Sequence, residues 1–168
     1  MSPLRDLEVI LAAAPGSLAR FGDTLGAAGV SLEGGGVFTH EGVAFAHFLV
    51  ADSDTATAAL DRAGIGPVTV REVVMVRLDQ DVPGQLGAFT GRLGDAGIRI
   101  LHQYSDHDHR LVVVTDPAQH DAAVAIAERW TAERRPGSDA TGAGAGQERP
   151  RQDSNLRPSD EKAVCSLG

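Results

Sequence analysis

The chain has 168 residues with a net charge of −8, 42% of them apolar and 23% charged, which suits one ordinary globular domain or two small ones. With one lysine (Lys162) and no long basic run, it lacks the stripe that attracts phosphate backbones, so nucleic acid is excluded as a partner. Its single cysteine, Cys165, cannot pair internally, and no apolar stretch reaches the roughly 20 residues of a membrane span, so a cytoplasmic, reducing setting without a membrane partner is expected.

In chain order, alternation over residues 7–12 predicts a strand. Pro15 then opens a helix whose Leu18, Phe21, Leu25 and Ala28 share one face, and Gly29 stops it. Residues 30–39 read as a strand interrupted by Gly34, Gly35 and Gly36, where glycine marks a bulge or a close approach to the backbone. After a turn at residues 40–42, a third strand spans residues 43–50, with His47 as a packed or edge histidine. Asp52, Ser53 and Asp54 offer N-caps to a second helix that ends at Gly64, and residues 68–78 form one long β-prone run.

The same pattern then recurs. A shift of 68 residues lays Pro15, Gly16, Leu18, Phe21, Leu25, Gly26, Ala28 and Gly29 onto Pro83, Gly84, Leu86, Phe89, Leu93, Gly94, Ala96 and Gly97. One supersecondary unit is therefore used twice. The second copy reads as strand 73–78, helix 83–96, strand 98–104, strand 110–115 and a last helix capped by Asp116 and Pro117. The fold expected is α+β: a ferredoxin-like (βαββαβ) tandem repeat of antiparallel sheets with helices on one face. The units are 1–72 and 73–135, the second lacking its final strand. Residues 136–168 read as a disordered tail, and residues 151–159 resemble the peptide made when a bacterial frame runs through the reverse strand of a tRNA gene.

Pro-Gly between first strand and first helix, with Ala-Gly-Val or Ala-Gly-Ile at the helix exit, resembles the ACT domain family over about residues 7–130. That resemblance implies a small regulatory module, used in pairs with sheets side by side, that binds a free amino acid near the loop after the first strand. The implied ligand residues are Asp81, Val82, Pro83, Gly84, Gln85 and Leu86 in the second copy and Pro15, Gly16, Ser17 and Leu18 in the first, with Ser31 and Arg99 after the helix exits. A helix start suits a carboxylate because its first N–H groups are unpaired and lie at the positive end of the dipole. Asp81 supplies the acidic group that the family often carries before Pro-Gly, whereas Ala13 has no polar side chain, so one good site is expected rather than two. A homodimer or a metabolic enzyme is the implied partner.

Other signals are weaker. Asp106, His107, Asp108 and His109, together with His102, are the densest set of potential metal ligands, and on a strand His107 and His109 would share a face. Asp-His-Asp-His is also the composition of a solvated turn, and no metal or cofactor is expected. No Ser-His-Asp set or ordered cysteine suggests catalysis, so no catalytic residue is assigned and the protein is not expected to be an enzyme. Residues 42–48 resemble the aromatic strand of an RNA-recognition module, but the basic residue is missing. Apolar residues on both faces of 43–50 and 111–114 leave an alternative: a ligandless interaction module that docks through a sheet edge or face.

Overall fold

The helix starts and stops are the local rules that set the architecture. The computed structural model describes residues 3–134. Strand β1 (Arg5–Ala12) leads to helix α1 (Ser17–Ala27), then β2 (Gly34–His40), β3 (Val43–Val50), helix α2 (Ser53–Arg62) and β4 (Val68–Glu72). The second copy runs β5 (Val74–Arg77), α3 (Gln85–Asp95), β6 (Ile100–Ser105), β7 (Arg110–Thr115), a short 3-10 turn (Pro117–Gln119) and α4 (His120–Glu133). The proposed tail, residues 136–168, lies outside the described residues.

Ala-Gly-Val and Ala-Gly-Ile have the same physical meaning in both copies. Gly29 (φ 73) and Gly97 (φ 69) take the left-handed conformation, and Val30 N–H returns to Leu25 O at 3.0 Å as Ile98 N–H returns to Leu93 O at 2.9 Å. This paired bonding satisfies the last helical carbonyls and turns the chain back toward the sheet. It also delays the next strand. Val30 is held by that cap and Glu33 N–H already reaches Leu49 O at 2.8 Å, so β2 starts at Gly34 and not at residue 30, and β6 likewise starts at Ile100.

Four antiparallel strands form the first sheet in the order β2-β3-β1-β4, and three form the second in the order β5-β7-β6. The run 68–78 is thus two strands in two sheets, separated at Val73. One face of each sheet is covered by its own helices. Leu7, Val9, Phe21, Leu25, Ala46, Val50 and Leu60 build the first core, and Val74, Val76, Phe89, Leu93, Val113, Ile126 and Trp130 the second. The repeat-equivalent phenylalanines are core residues: Phe21 stacks on Phe48, and Phe89 meets Trp130 edge-on, each at 5.3 Å between ring centroids.

The two sheets meet through their other faces rather than side by side. Leu49 of β3, Tyr104 of β6 and Val112 of β7 are buried together, flanked by Leu4, Val73 and Met75. Apolar residues on both faces of β3 and β7 are explained within the chain: one face meets helices, the other the opposite sheet. A second contact joins the sheets at the glycine run. Gly34 bridges Asp106, and a Cβ on Gly34 would lie 2.5 Å from Asp106 Cα. A Cβ on Gly35 (φ 139) would collide with His47 O. The close approach therefore comes from the second sheet and from the neighbouring strand.

Gly35→Ala should accordingly destabilise the protein by about 2–3 kcal/mol, through backbone strain and overlap with a carbonyl that cannot move freely. Gly36→Ala, whose added Cβ would meet only the Phe38 ring at 3.7 Å, should cost far less. Urea denaturation of the two variants checks this; equal losses would show that strand propensity, not close approach, selects these glycines.

Candidate functional site

Each Pro-Gly loop places a glycine in the left-handed conformation at the helix N-cap, Gly16 at φ 84 and Gly84 at φ 86. Neither helix start has a side-chain cap. The copies differ in what remains free. Ser17 N–H donates to Ala14 O at 3.2 Å, whereas among the described residues no backbone bond takes the Gln85 N–H. The Gln85 Oε1 is buried without a partner. Asp79 Oδ1 accepts the Asp81 N–H at 3.1 Å, shaping the loop and leaving the Asp81 side chain exposed.

Most of the expected ligand residues are at the surface. Pro15, Gly16, Leu18, Ser31, Asp81, Val82, Pro83, Gly84, Leu86 and Arg99 are exposed, and Ser17 and Gln85 are half-buried. Within each copy the loop residues are neighbours; no hydrogen bond among the described residues joins the loop of one copy to that of the other. Arg99 is held through its backbone, with its N–H donating to Gln119 Oε1 at 3.0 Å while Gln119 Nε2 donates to Gly97 O at 2.8 Å. An open groove of about 760 Å³ begins beside the second loop, lined by Arg77, Leu78, Asp79, Gln80, His109 and Arg134 rather than by residues 81–86.

The β6–β7 hairpin does not set His107 and His109 on a strand face. Both lie in the turn, His109 at φ 58, because Asp106 organises the turn around itself. Its carboxylate accepts from Asp108 N–H (3.0 Å), Arg110 N–H (2.7 Å) and Arg110 Nε (2.6 Å). Burial pushes the Asp106 carboxyl up, but the Arg110 bonds prevail and hold it below the usual range. The hairpin is tied to the first copy where His107 N–H donates to Glu33 O at 2.9 Å.

The strongest polar cluster is one that the sequence pattern does not single out. Asp6 of β1 is fully buried between the sheets. Its Oδ2 accepts from His47 Nδ1 of β3 at 3.2 Å and from His102 Nε2 of β6 at 3.1 Å, and its Oδ1 accepts from the Tyr104 hydroxyl at 2.8 Å. The two imidazoles lie against each other, with centroids 3.7 Å apart and planes tilted by 36°. Burial opposes the charge on Asp6, but the bonds from His102, His47 and Tyr104 outweigh it and lower its pKa to about 2. The Tyr104 hydroxyl is pushed well above its ordinary value, by burial first and by the Asp6 charge next. Among the expected ligands only His102 belongs here, and it pairs with residues 96 and 55 positions away. Asp6 precedes the expected strand 7–12 and alternates with Glu8, so no pattern in the sequence sets it apart from a surface residue.

No protein-family model matches this chain, and no curated protein matches it. Solved structures do. A protein of Bacteroides thetaiotaomicron aligns with a TM-score of 0.64 at 23% identity, over 76% of this chain and 88% of the other. The ligand-free regulatory subunit of aspartate kinase from Thermus thermophilus aligns with a TM-score of 0.59 at 17% identity, over 77% and 93%. The corresponding subunit from Thermus flavus gives 0.58 at 19%, over 77% and 93%. The chain has the fold of these regulatory subunits, the ACT-domain fold, an α+β ferredoxin-like arrangement. No described helix is long and apolar enough to cross a membrane.

The depressed Asp6 pKa has a sign that can be tested. Stability that depends on the ionised carboxylate is fully present above its unfolded value near 4 and is lost as pH falls through about 2. That contribution is about 2 kcal/mol. In chelator-containing buffer, the denaturation midpoint of the native protein should fall more steeply between pH 4 and pH 2 than that of Asp6→Asn; parallel curves would show that the carboxylate is not the group lost to acid.

Proposed function

We propose that the chain is a non-catalytic regulatory protein, a pair of ACT-like units over residues 1–72 and 73–135, that binds a free amino acid at the start of α3. The observation that carries this is the asymmetry between the loops. In the second copy the Gln85 N–H, without a partner among the described residues, lies at the positive end of a helix and suits a carboxylate, while Asp81 and the Gln85 Oε1, likewise without a partner among them, suit an ammonium group. Val82 and Leu86, 46% and 47% exposed, offer apolar surface to the ligand's side chain. In the first copy Ala14 O occupies the Ser17 N–H, and Ala13 has no charge to offer.

The fold shared with aspartate kinase regulatory subunits supports the regulatory part of this proposal. Leu18 and Leu86, equivalent in the repeat and both about half exposed, suit coverage by a second copy of the chain or by an enzyme under control. A second reading has its own support. The outer edge of β5 is unpaired among the described residues, and beside it a groove of about 410 Å³ is lined by Val73, Val74, Met75, Val124, Ala127, Glu128, Thr131 and Ala132. Such an edge accepts a strand from a partner, as a ligandless interaction module would require.

A thermal-shift screen against the twenty amino acids at millimolar concentration separates the two. One ligand or a few related ones should raise the melting temperature, with ~2.7 kcal/mol of stabilisation at a hundredfold excess over Kd. Asp81→Ala, at an exposed side chain, should weaken that ligand by about tenfold or more, the worth of one charge-assisted contact, without altering the melt of the free protein. A cooperative melt that no amino acid shifts would transfer the function to the β5 edge.

A further inference from the structure

We propose that Asp6, His47 and His102 form a binding site for one divalent transition-metal ion of the zinc type, which would join the two sheets across their buried seam. The site is separate from the helix-start loops and does not depend on amino-acid binding. Two imidazole nitrogens and a carboxylate oxygen are the ligand set that such ions take, commonly with a fourth position left to water. The donor atoms all lie within 4.8 Å of one another. Around a tetrahedral ion with bonds of about 2.0–2.1 Å, neighbouring ligand atoms stand about 3.3 Å apart. The two edges that run from Asp6 Oδ2, at 3.2 Å to His47 Nδ1 and 3.1 Å to His102 Nε2, are close to that length already.

The surroundings point the same way. Tyr104 holds Asp6 Oδ1 at 2.8 Å, which fixes the carboxylate plane and leaves Oδ2 toward the rings, the role of an outer-shell partner. No permanent cation answers Asp6 among the described residues. Arg71, its cross-strand neighbour on β4, gives its Nε to Glu8 at 2.8 Å, and its cross-strand neighbour on β3 is the apolar Leu49. Two imidazoles with centroids 3.7 Å apart repel each other if both are protonated, so the rings alone supply at most one compensating charge cheaply. A divalent ion supplies two. The His102 side chain, 16% exposed, provides the route in and the direction for the fourth ligand.

Coordination requires each ring to present a lone pair where it now presents an N–H. The proton facing Oδ2 is released to solvent, or is replaced by one on the opposite ring nitrogen, and the tilted rings turn apart to face one ion. Affinity therefore falls with acid, as protons compete for the same nitrogens. Because Asp6 and His47 lie in the first copy and His102 in the second, the ion would cross-link the two sheets through residues 96 positions apart.

The full chain, stripped with chelator and dialysed, should bind one equivalent of Co(II), with visible bands of tetrahedral nitrogen–oxygen coordination, and one equivalent of Zn(II) that displaces it. His102→Gln, whose amide N–H can still serve Asp6, should melt like the parent without metal and lose binding. Tyr104→Phe should weaken zinc by roughly tenfold to a hundredfold. The double variant His107→Ala/His109→Ala should bind as before. Zinc-edge X-ray absorption of the native protein, which requires no variant to fold, should show two imidazoles and oxygen in the first shell. The proposal is overturned by failure to saturate at one equivalent, by a shell without two imidazoles, by binding retained in folded His102→Gln, or by binding lost with the turn histidines.

Discussion

The arrangement of this molecule depends on one buried carboxylate. Asp6 sits on β1 with no solvent contact, and its charge is tolerable only where donors reach it from two other strands. His47 comes from the same sheet, His102 and Tyr104 from the other. The apolar part of the seam, Leu49, Tyr104 and Val112, would accept several offsets between the sheets, since dispersion has no direction. The two hydrogen bonds that cross the seam, from His102 and Tyr104 to Asp6, accept far fewer. Removing a single partner would strand a buried charge, which costs more than the pair contributes, so the cluster selects one register at some expense in stability.

Around that seam the repeat solves the same local problem twice and then departs from itself. Both copies start a helix behind a left-handed glycine and end it with paired backbone bonds that feed Val30 or Ile98 into a core. They differ where chemistry is at stake. The first copy completes a four-stranded sheet and closes its loop with Ala14 O; the second has three described strands, a free β5 edge and a loop whose donor and acceptor groups remain open. Duplication supplied a scaffold whose hydrophobic cores are redundant, and the differences between the copies concentrate at the surfaces where a ligand or partner would sit.

Most of the fold was legible because it is written in local chemistry. Period-two alternation located β1, and glycine with proline bounded the helices at both repeats. The division of residues 68–78 near residue 73 was legible through the repeat, which sets the start of the second copy there although both halves are equally β-prone. The face-to-face packing was not legible. Apolar residues on both sides of a strand announce that the second face is covered, but not by what. The Pro-Gly loops were visible through the repeat itself. Asp6 was not, because a lone aspartate in a strand resembles a surface residue until its partners at positions 47, 102 and 104 converge on it.

A regulator needs two arrangements of similar free energy, between which a ligand can choose. The helix-covered cores are poor places to find them: each is a contiguous packing of large side chains such as Phe21 and Leu25 or Phe89 and Trp130, which lose too much by opening. The seam is different. Its buried apolar set is small, Leu49, Tyr104 and Val112, and the hydrogen bonds from His102 and Tyr104 to Asp6 cross it. It also adjoins both Pro-Gly loops in sequence: β1, with Asp6 at the seam, ends at Ala12 shortly before Pro15-Gly16, and β5, with Met75 beside the seam, ends at Arg77, with residues 78–82 between it and Pro83-Gly84. Movement of a helix start is therefore carried by a strand that already forms part of the interface between the copies. Were the two sheets to shift, the polar seam would give before either core did.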